Sequence, residues 1–529
     1  MSTKKNSALL AALLMTVGLL GGGVWFLSRL SPGLLPIPSP STSASGDGRT
    51  QPQSSRNISV LGDTFSGYST FRNAAFQDAL SGSGITLQYD DEFDQAARAQ
   101  RLSRGEADII VTTLDQFLLH QPDGKIVGLI DRTVGADAVV LNTTLYPNLT
   151  SLLELNTLVA QAQAQGKRVG MAFAGDTPSE YLALVLDTKF DDFNLAGFAV
   201  TKVADASEAW SLMQDANQNI AIAVLWEPFV TQARQRGYTV VLSSQDAPKA
   251  IVDVIVASDQ LLQSNPGVVS ELLEFYYRRI DTNVRDSSQL QTQIAEDGGL
   301  SPEDAAAVVN GIEFFTAAEA NSWLTDGTLA RRIEATAAVL VLSGRMDAVP
   351  SNPDDLFVLQ AIAEAAGNTQ TLIDLVRADN PELADRLQGN QRSVTASAPV
   401  LTDSAVRNAP DIGNLQVRGD VKFATGSAQL TPESAQILNQ LTQEISEFNE
   451  QTVAVRVIGH TSQTGSADIN QVLSQQRAQV VVDYLRNQGL QHNIVAEGQG
   501  FSQPLEGVAP ADPINQRTEI RLVRVNEAS

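Results

Sequence analysis

Hydroxyl-bearing residues follow several strand-like segments of this sequence, in positions suited to binding a small ligand. Hydroxyls and the backbone amides at helix starts donate hydrogen bonds to a small anion without adding a neutralising charge. The candidate contacts are Thr64, Ser66, Tyr68, Thr112, Thr113, Asp176, Thr177, Ser179, Trp226 and Glu227. Two other interpretations stay open, since Thr or Ser after a strand often caps a helix and Trp226 has a size suited to the core. Asp176 and Glu227 would repel an anion, so the ligand class also stays open.

Catalytic and metal-binding residue types are scarce in this sequence. It contains no cysteine, and its three histidines, His120, His460 and His492, lie far apart. This excludes a thiolate site and argues against a histidine-based zinc site. No nucleophile, base and orienting group occur together at a spacing suited to hydrolysis. We therefore expect a non-enzymatic protein that uses no cofactor and no metal.

The size and charge of the chain limit its organisation and its partners. Its 529 residues exceed one ordinary hydrophobic core, so two or three domains are expected. With 43% hydrophobic and 18% charged residues, the composition is that of a globular protein. The formal charge of −24 makes the surface repel nucleic acid and anionic lipid headgroups, so neither is an expected partner.

Short apolar segments alternate with longer amphipathic ones over much of the chain. The strand-like segments are residues 58–61, 85–89, 107–111, 136–141, 168–172, 220–225 and 239–242. This alternation predicts an α/β fold with mainly parallel sheets. Ligands of such sheets bind beyond the carboxyl ends of strands, which is where the candidate hydroxyls lie. Residues 301–385 are predicted to be mainly helical and to serve in packing.

The N-terminal segment is predicted to anchor the chain in a membrane. Lys4 and Lys5 precede a stretch without charge from residue 6 to residue 28, which Arg29 closes. About 20 apolar residues allow a helix to cross the hydrocarbon core, and the lysines would keep the N-terminus cytoplasmic. We expect a transmembrane signal anchor at 1–30 and a flexible Pro-, Ser- and Gly-rich linker at 31–56. A cleaved signal peptide is the alternative.

Five segments, taken in order, give the large part of the chain a family resemblance. They read LGDTFSGYSTF, RGEADIIVTTLDQFL, DRTVGADAVVLN, GKRVGMAFAGDTPSEYLALVL and IAVLWEPFV. Their order resembles that of periplasmic binding proteins of the sulfonate, nitrate and taurine transport class. The resemblance implies a two-lobed type II periplasmic-binding-protein-like domain with a helical extension at 57–385. It also implies that the lobes close over a small solute, that DRTVGADAVVLN and residues 252–257 cross between them, and that an ABC permease is a partner.

A second set of motifs follows a weakly patterned linker predicted at 386–411. The motifs are Phe423, residues 426–428, Leu430 and Pro432, then GHTSQTGSADINQVLSQQRAQVVVDYL, GQGFSQP and residues 515–517. They resemble the OmpA-like peptidoglycan-associating domain. The resemblance implies an α+β domain at 412–529 with peptidoglycan as its partner.

The OmpA-like resemblance implies a site that grips the free diaminopimelate end of a wall peptide. The residues implied in peptidoglycan binding are Thr461, Ser462, Asn470, Arg477 and Arg517. Arg477 matches the arginine that meets the ligand carboxylate, and Asn470 lies two turns before it on the same helix face. Ser462 stands where the family has the aspartate that meets the ammonium, and Gln516 replaces an arginine; Asp468 is an alternative acid. Because a serine offsets the desolvation of an ammonium less well than a carboxylate does, we expect weak peptidoglycan binding.

These features give one leading function and one alternative. The leading interpretation is a solute-binding or sensing protein, anchored by a single pass in the bacterial inner membrane, with the bulk of the chain in the periplasm. Its OmpA-like domain would dock at the cell wall. The alternative is a structural envelope tether or protein–protein interaction module that binds no small molecule.

Overall fold

The computed structural model describes residues 56–389, 400–419, 421–424 and 426–525 of the chain. The predicted anchor at 1–30, all of the predicted linker at 31–56 except Arg56, and residues 390–399 of the second predicted linker lie outside the described residues. Among the helices described, none is both long and apolar enough to cross a membrane.

The strands named within the described residues form three sheets. They are β1 (Arg56–Gly62), β2 (Ile85–Asp91), β3 (Ile109–Thr113), β4 (Gly124–Thr133), β5 (Asp137–Leu141), β6 (Gly170–Ala174), β7 (Ala199–Val203), β8 (Ile220–Trp226), β9 (Thr239–Ser243), β10 (Val252–Ser258), β11 (Ile312–Phe314), β12 (Asp411–Asn414), β13 (Val453–His460), β14 (Ile494–Gly500) and β15 (Thr518–Arg524).

Helices connect and cover these strands. They are α1 (Ser69–Arg72), α2 (Ala74–Gly82), α3 (Gln95–Ser103), α4 (Leu114–His120), α5 (Leu152–Ala164), α6 (Pro178–Lys189), α7 (Ala206–Gln214), α8 (Phe229–Gln235), α9 (Asp259–Ser264), α10 (Pro266–Arg285), α11 (Ser287–Gly298), α12 (Pro302–Gly311), α13 (Ala317–Thr325), α14 (Thr328–Leu342), α15 (Ala363–Val376), α16 (Pro381–Leu387), α17 (Asp403–Asn408), α18 (Pro432–Ile445) and α19 (Ala467–Asn487).

The first two sheets form two α/β lobes that exchange a strand. The first sheet has the order β11-β4-β10-β3-β1-β2, and the second has the order β7-β6-β8-β5-β9. β10 follows the second lobe in the chain but lies in the first sheet, antiparallel to β3 and β4. β5 follows the first lobe but lies in the second sheet, antiparallel to β8 and β9. The sheets are therefore mixed, and the expectation of mainly parallel sheets is wrong because each exchanged strand runs against its neighbours.

Two crossovers join the lobes, at residues 134–136 and 244–251. The first crossover lies within the predicted crossing segment DRTVGADAVVLN, whereas the second precedes residues 252–257, which form β10 rather than the crossover itself. Ser244 ties the crossovers together, since its Oγ accepts hydrogen bonds from Gly135 N at 2.8 Å and Asp137 N at 3.2 Å. We call the carboxyl ends of the lobe strands, with the loops that follow them, the interlobe region.

Helix α14 packs against both lobes. It contacts α4 of the first lobe and α6 of the second. The buried side chains of α14 include Ile333, Thr336 and Ala337, so its apolar face is covered by the lobes. The predicted helical segment at 301–385 is confirmed in its main elements, and one of them, α14, lies across the two lobe helices that begin at the candidate ligand residues.

The third sheet forms the α+β C-terminal domain, in the order β12-β15-β13-β14. β13 pairs with β14 in parallel and with β15 antiparallel. α19 packs against β13 and β14, while α17 contacts the same two strands. Of the eight residues of β13 only Arg456 is not buried, so both faces of this strand are covered.

The C-terminal domain contacts the second lobe directly. The rings of Phe190 and Phe448 lie 6.1 Å apart, edge to face. Arg524 Nη2 forms an ion pair with Asp246 Oδ2 at 2.8 Å, and both side chains are largely buried. Asn414 N donates to Asp192 Oδ2 at 2.6 Å. Apolar, charged and backbone groups all take part in this interface.

Candidate functional sites

The first lobe contributes candidate residues that differ in exposure. Thr64 is exposed and Ser66 is partly exposed. Tyr68 is buried, and its hydroxyl donates to Asp253 Oδ1 at 2.5 Å. Thr112 is buried and donates to Gln95 Oε1 at 3.0 Å. Thr113 is the N-cap residue of α4 but makes no side-chain capping hydrogen bond.

In the second lobe, a predicted helix-cap role is observed. Thr177 Oγ1 accepts from Ser179 N at 3.2 Å at the start of α6 and donates to Ala174 O at 2.9 Å. Ser179 is fully buried. The hydroxyl of Thr177 is therefore engaged by its own helix start, as the capping interpretation expects.

The acidic candidates of the second lobe are matched by groups of the same chain. Asp176 pairs with Arg345 at 3.3 Å. Glu180, which the sequence analysis did not single out, contacts both Arg345 and Lys202. Burial alone would raise the pKa of Glu180, but hydrogen bonds from Lys202 and from the Asp176 amide, together with the charge of Arg345, lower that pKa. Glu227 accepts from Thr231 N at 3.1 Å and from its hydroxyl at 2.9 Å.

Trp226 is partly buried and packs against the apolar cluster of the second lobe that includes Trp210.

In α6, Tyr181 lies beside Thr336 of α14, and burial raises the pKa of Tyr181 to about 12. The interlobe region thus contains the predicted residues, but many of their polar groups already have partners.

A group of buried carboxyls at the crossovers was not predicted. Asp131, Asp137 and Asp253 are each at least 96% buried. Neither carboxylate oxygen of Asp131 has a hydrogen-bond partner among the described residues. Burial and then Asp137 raise the pKa of Asp131, while burial raises the pKa of Asp137 to about 7. The only sequence signal was an acidic residue inside an otherwise apolar strand.

In the C-terminal domain, Arg477 lies in a largely uncharged environment. The residue is 5% exposed. Its Nε donates to Ser427 O at 3.0 Å, its Nη1 donates to Gln516 Oε1 at 3.3 Å, and its guanidinium lies 5.1 Å from the centre of the Phe423 ring. Burial lowers the pKa of Arg477. Among the described residues, no carboxylate pairs with it.

Gln516 links Arg477 to Ser462, which stands where the OmpA-like family has an aspartate. Gln516 Nε2 donates to Ser462 Oγ at 3.2 Å, and Ser462 Oγ lies 3.3 Å from Thr464 Oγ1. We call Arg477, Gln516, Ser462 and Thr464 the Arg477 site. The structure therefore brings Arg477 and Ser462 together through a residue that the sequence analysis noted only as a departure.

The other residues of the predicted wall site serve neighbouring loops. Asn470 donates to Thr464 O at 2.9 Å and to Ser466 O at 3.0 Å. Thr461 is buried, and its amide donates to Gly500 O at 2.7 Å. Arg517 pairs with Glu519 at 2.7 Å. These contacts hold the loops on either side of the Arg477 site.

Glu519 is strongly held as an anion. His460 Nε2 lies 3.3 Å from its Oε1, and Arg521 lies 3.1 Å from its Oε2. Burial opposes ionisation, but the hydrogen bond with His460 and the charge of Arg517 lower the pKa of Glu519 to about 2. This carboxylate is therefore already matched by cations of its own domain.

Residues 422–517 match the family model described as the OmpA family. The same part of the chain is 42% identical over 105 residues to outer membrane protein A of Shimwellia blattae, covering 20% of this chain and 43% of that protein. It is 35% identical over 136 residues to outer membrane protein A of Shigella flexneri, covering 25% and 36%. The chain thus spans less than half the length of these relatives. Its C-terminal part contains an OmpA domain.

Solved structures resemble the two parts separately. The alkanesulfonate-binding protein SsuA from Xanthomonas axonopodis pv. citri bound to MOPS is 13% identical, with 59% of this chain and 99% of that one covered and a TM-score of 0.42. The desulfurization enzyme DSZB is 10% identical, with 59% and 99% covered and a TM-score of 0.43. The OmpA-like domain of FopA1 from Francisella tularensis is 34% identical, with 22% and 75% covered and a TM-score of 0.18.

Proposed function

We propose that this chain is a non-catalytic protein of the bacterial envelope whose OmpA domain binds a carboxylate of peptidoglycan at Arg477. The large two-lobed part faces the periplasm, and residues 6–28 hold the chain in the inner membrane. In this proposal the lobes bind or sense a small solute, and an ABC permease is a candidate partner.

The environment of Arg477 carries the wall-binding proposal. A guanidinium that is 5% exposed has lost most of its hydration, and burying a cation is costly unless an anion compensates it. Arg477 meets only a carbonyl, an amide and a ring in the described part of the chain. A planar guanidinium can bind a carboxylate through two parallel hydrogen bonds. The missing counter-charge is one that a wall peptide can supply.

Calorimetric titration of the full chain with soluble wall-peptide fragments tests this proposal. Arg477→Ala should weaken binding by roughly 30-fold to several thousand-fold, since removing one member of a desolvated charge pair costs about 2 to 5 kcal/mol. Arg486→Ala is the matched control, because Arg486 lies in the same helix α19 but is exposed. Equal affinities for Arg477→Ala and the unchanged chain would reject Arg477 as the contact.

The interlobe region supports a second candidate function, an envelope tether or protein–protein module without a small ligand. The acidic candidate Asp176 is paired with Arg345, and α14 packs on α4 and α6. A helix in that position packs on the two helices that follow Thr113 and Thr177, two of the candidate ligand residues. The observation favours the tether for the large part only, and it leaves wall binding by the OmpA domain unchanged.

The anchor is tested by cell fractionation. If residues 6–28 remain in the mature protein, the full chain should partition with inner-membrane vesicles and keep its N-terminus, since the uncharged stretch is long enough to span the hydrocarbon core. Recovery of a soluble periplasmic form that starts after about residue 30 would reject the anchor and support a cleaved signal peptide.

A further inference from the structure

Among the residues that the structure describes, no acid accompanies the positive charge of the Arg477 site. Its other members, Gln516, Ser462 and Thr464, are neutral and hydrogen-bonded to one another. Ser462 is 2% exposed, so a ligand group that reaches it leaves water. A carboxylate that enters the site meets a cation, whereas an ammonium meets only a hydroxyl and an amide.

Two acids close to the site, Glu519 and Asp468, are not placed to supply the missing charge. Glu519 is engaged by Arg517, Arg521 and His460. Asp468 is exposed in the first turn of α19, where it favours the helix N-terminus. An ammonium bound beside Arg477 would therefore be desolvated without compensation and repelled by the guanidinium.

We propose that the Arg477 site takes a carboxylate that has no ammonium group beside it, in preference to a zwitterionic amino-acid end. This inference rests on the proposed wall-binding function and specifies its ligand class. The terminal carboxylate of a stem peptide fits this description, and so does a diaminopimelate end whose side-chain amine is capped. Ser462 and Gln516 are then the residues that determine ligand specificity.

Two matched peptides test the proposal by calorimetry on the full chain. They are a wall tetrapeptide with a free diaminopimelate amine and the same tetrapeptide with that amine acetylated, each with its C-terminal carboxylate amidated so that only the diaminopimelate end can enter the site. The chain should bind the acetylated peptide at least about tenfold more tightly, equivalent to about 1.4 kcal/mol. Ser462→Asp should reverse the order, because the new carboxylate pairs with the free ammonium.

A second variant covers the case in which the buried Ser462→Asp substitution unfolds the domain. Gln516→Glu places a carboxylate next to Arg477, so it should lower the affinity for the acetylated peptide by about tenfold or more. Equal or tighter binding of the free-amine peptide by the unchanged chain would overturn the specificity inference and leave wall binding standing. Failure of both peptides to bind would overturn the proposed function itself.

A separate set of contacts concerns the second crossover of the lobes. Asp246 lies in this crossover and pairs with Arg524 of the C-terminal domain, with 3% and 12% of the two side chains exposed. Asn449 N donates to Asp246 O at 2.8 Å, and Asn449 Nδ2 donates to Gln245 O at 3.0 Å. The OmpA domain therefore holds the backbone and a buried side chain of the crossover.

The contacts extend to the first crossover and to α14. Ser244 accepts hydrogen bonds from the amides of Gly135 in the first crossover and of Asp137 at the start of β5, so both connections between the lobes are held. Arg332 of α14 forms an ion pair with Glu447 of the C-terminal domain. Opening of two lobes is a rotation absorbed by a few crossover residues. Here those residues are tied to a third domain.

We infer that the C-terminal domain acts as a clamp that restricts opening of the two lobes. Hydrogen exchange on the full chain tests this. Arg524→Ala should speed exchange of amides at 244–252 and 133–137 by about tenfold relative to the amides of the central strands of the first lobe. Arg278→Ala removes an exposed ion pair within a helix and should change neither segment. Unchanged exchange at the crossovers, or the same acceleration throughout the chain, would overturn the clamp.

Discussion

Between the lobes, acidic side chains are paired with a cation or have their pKa raised by burial, whereas the buried Arg477 guanidinium meets only neutral groups among the described residues. Asp176 pairs with Arg345, and burial raises the pKa of both Asp131 and Asp137. Arg477 has Gln516 and a backbone carbonyl. A site whose charges are already matched gains little from a charged ligand, while an unmatched buried charge gains much. Because its cation lacks an anionic partner, the Arg477 site of the C-terminal domain is a better supported ligand site than the interlobe region.

The largest expected effect concerns the buried acids between the lobes. The pKa of Asp137 is raised by burial to about 7, against about 3.9 when unfolded. The folded chain then holds more protons, so the free energy of unfolding should fall as pH rises from about 4 to about 7, by up to about 4 kcal/mol from this group. Asp137→Asn should remove that part of the pH dependence.

Urea unfolding at several pH values measures this difference. The exposed Asp347→Asn variant is the control and should keep the full pH dependence. The contrary result is that Asp137→Asn shows the same change in the free energy of unfolding with pH as the unchanged chain between pH 4 and pH 7. In that case burial does not keep the Asp137 carboxyl neutral, and the stated difference between the interlobe region and the Arg477 site is wrong.

The next effect concerns the contact that joins the two regions. Arg524→Ala removes one partner of a largely buried ion pair with Asp246, which should lower the free energy of unfolding by about 3 kcal/mol. Arg278→Ala, in an exposed pair with Glu274, should cost less than about 1 kcal/mol. Equal losses in denaturant unfolding would mean that the domain interface contributes no more than a surface contact.

A smaller effect separates solute binding from a ligand-free tether. If Thr112, Thr177 and Trp226 line a closing pocket, a cognate solute at 100 times its dissociation constant should add about 2.7 kcal/mol of stability. Thermal melts with sulfonates, nitrate, phosphonates and thiamin-like pyrimidines measure this. A screen in which no compound raises the melting temperature favours the tether.

Local patterns in the sequence predicted much of the framework. Strand-like runs located most of the lobe strands, and the predicted crossing segments contain β5 and most of β10, the strands that the two lobes exchange. Thr177 acts as the helix cap that its position before Pro178 indicates. Such features depend on residues close in sequence, so periodicity and capping rules reach them.

Contacts between distant residues were not predictable in the same way. Arg345 reaches Asp176, and Arg524 reaches Asp246, across sequence separations of 169 and 278 residues. Gln516 lies 54 residues from Ser462, yet it supplies the link to Arg477. Which distant residue pairs with a charged side chain depends on how the helices and strands pack against one another. The sequence motifs therefore contained Arg477, Ser462 and Gln516, but they did not predict that the Gln516 amide joins the other two by hydrogen bonds.

A pull-down of purified sacculi with four forms of the full chain tests the central claim most directly. The forms are the unchanged chain, Ser462→Asp, Arg477→Ala and the double variant. We predict weak retention of the unchanged chain, a gain of roughly 30-fold or more for Ser462→Asp, and loss of that gain in the double variant, because the two side chains hold opposite ends of one zwitterion. Tight retention of the unchanged chain that neither substitution alters would contradict the account, because it would show that residues other than Ser462 and Arg477 bind the cell wall.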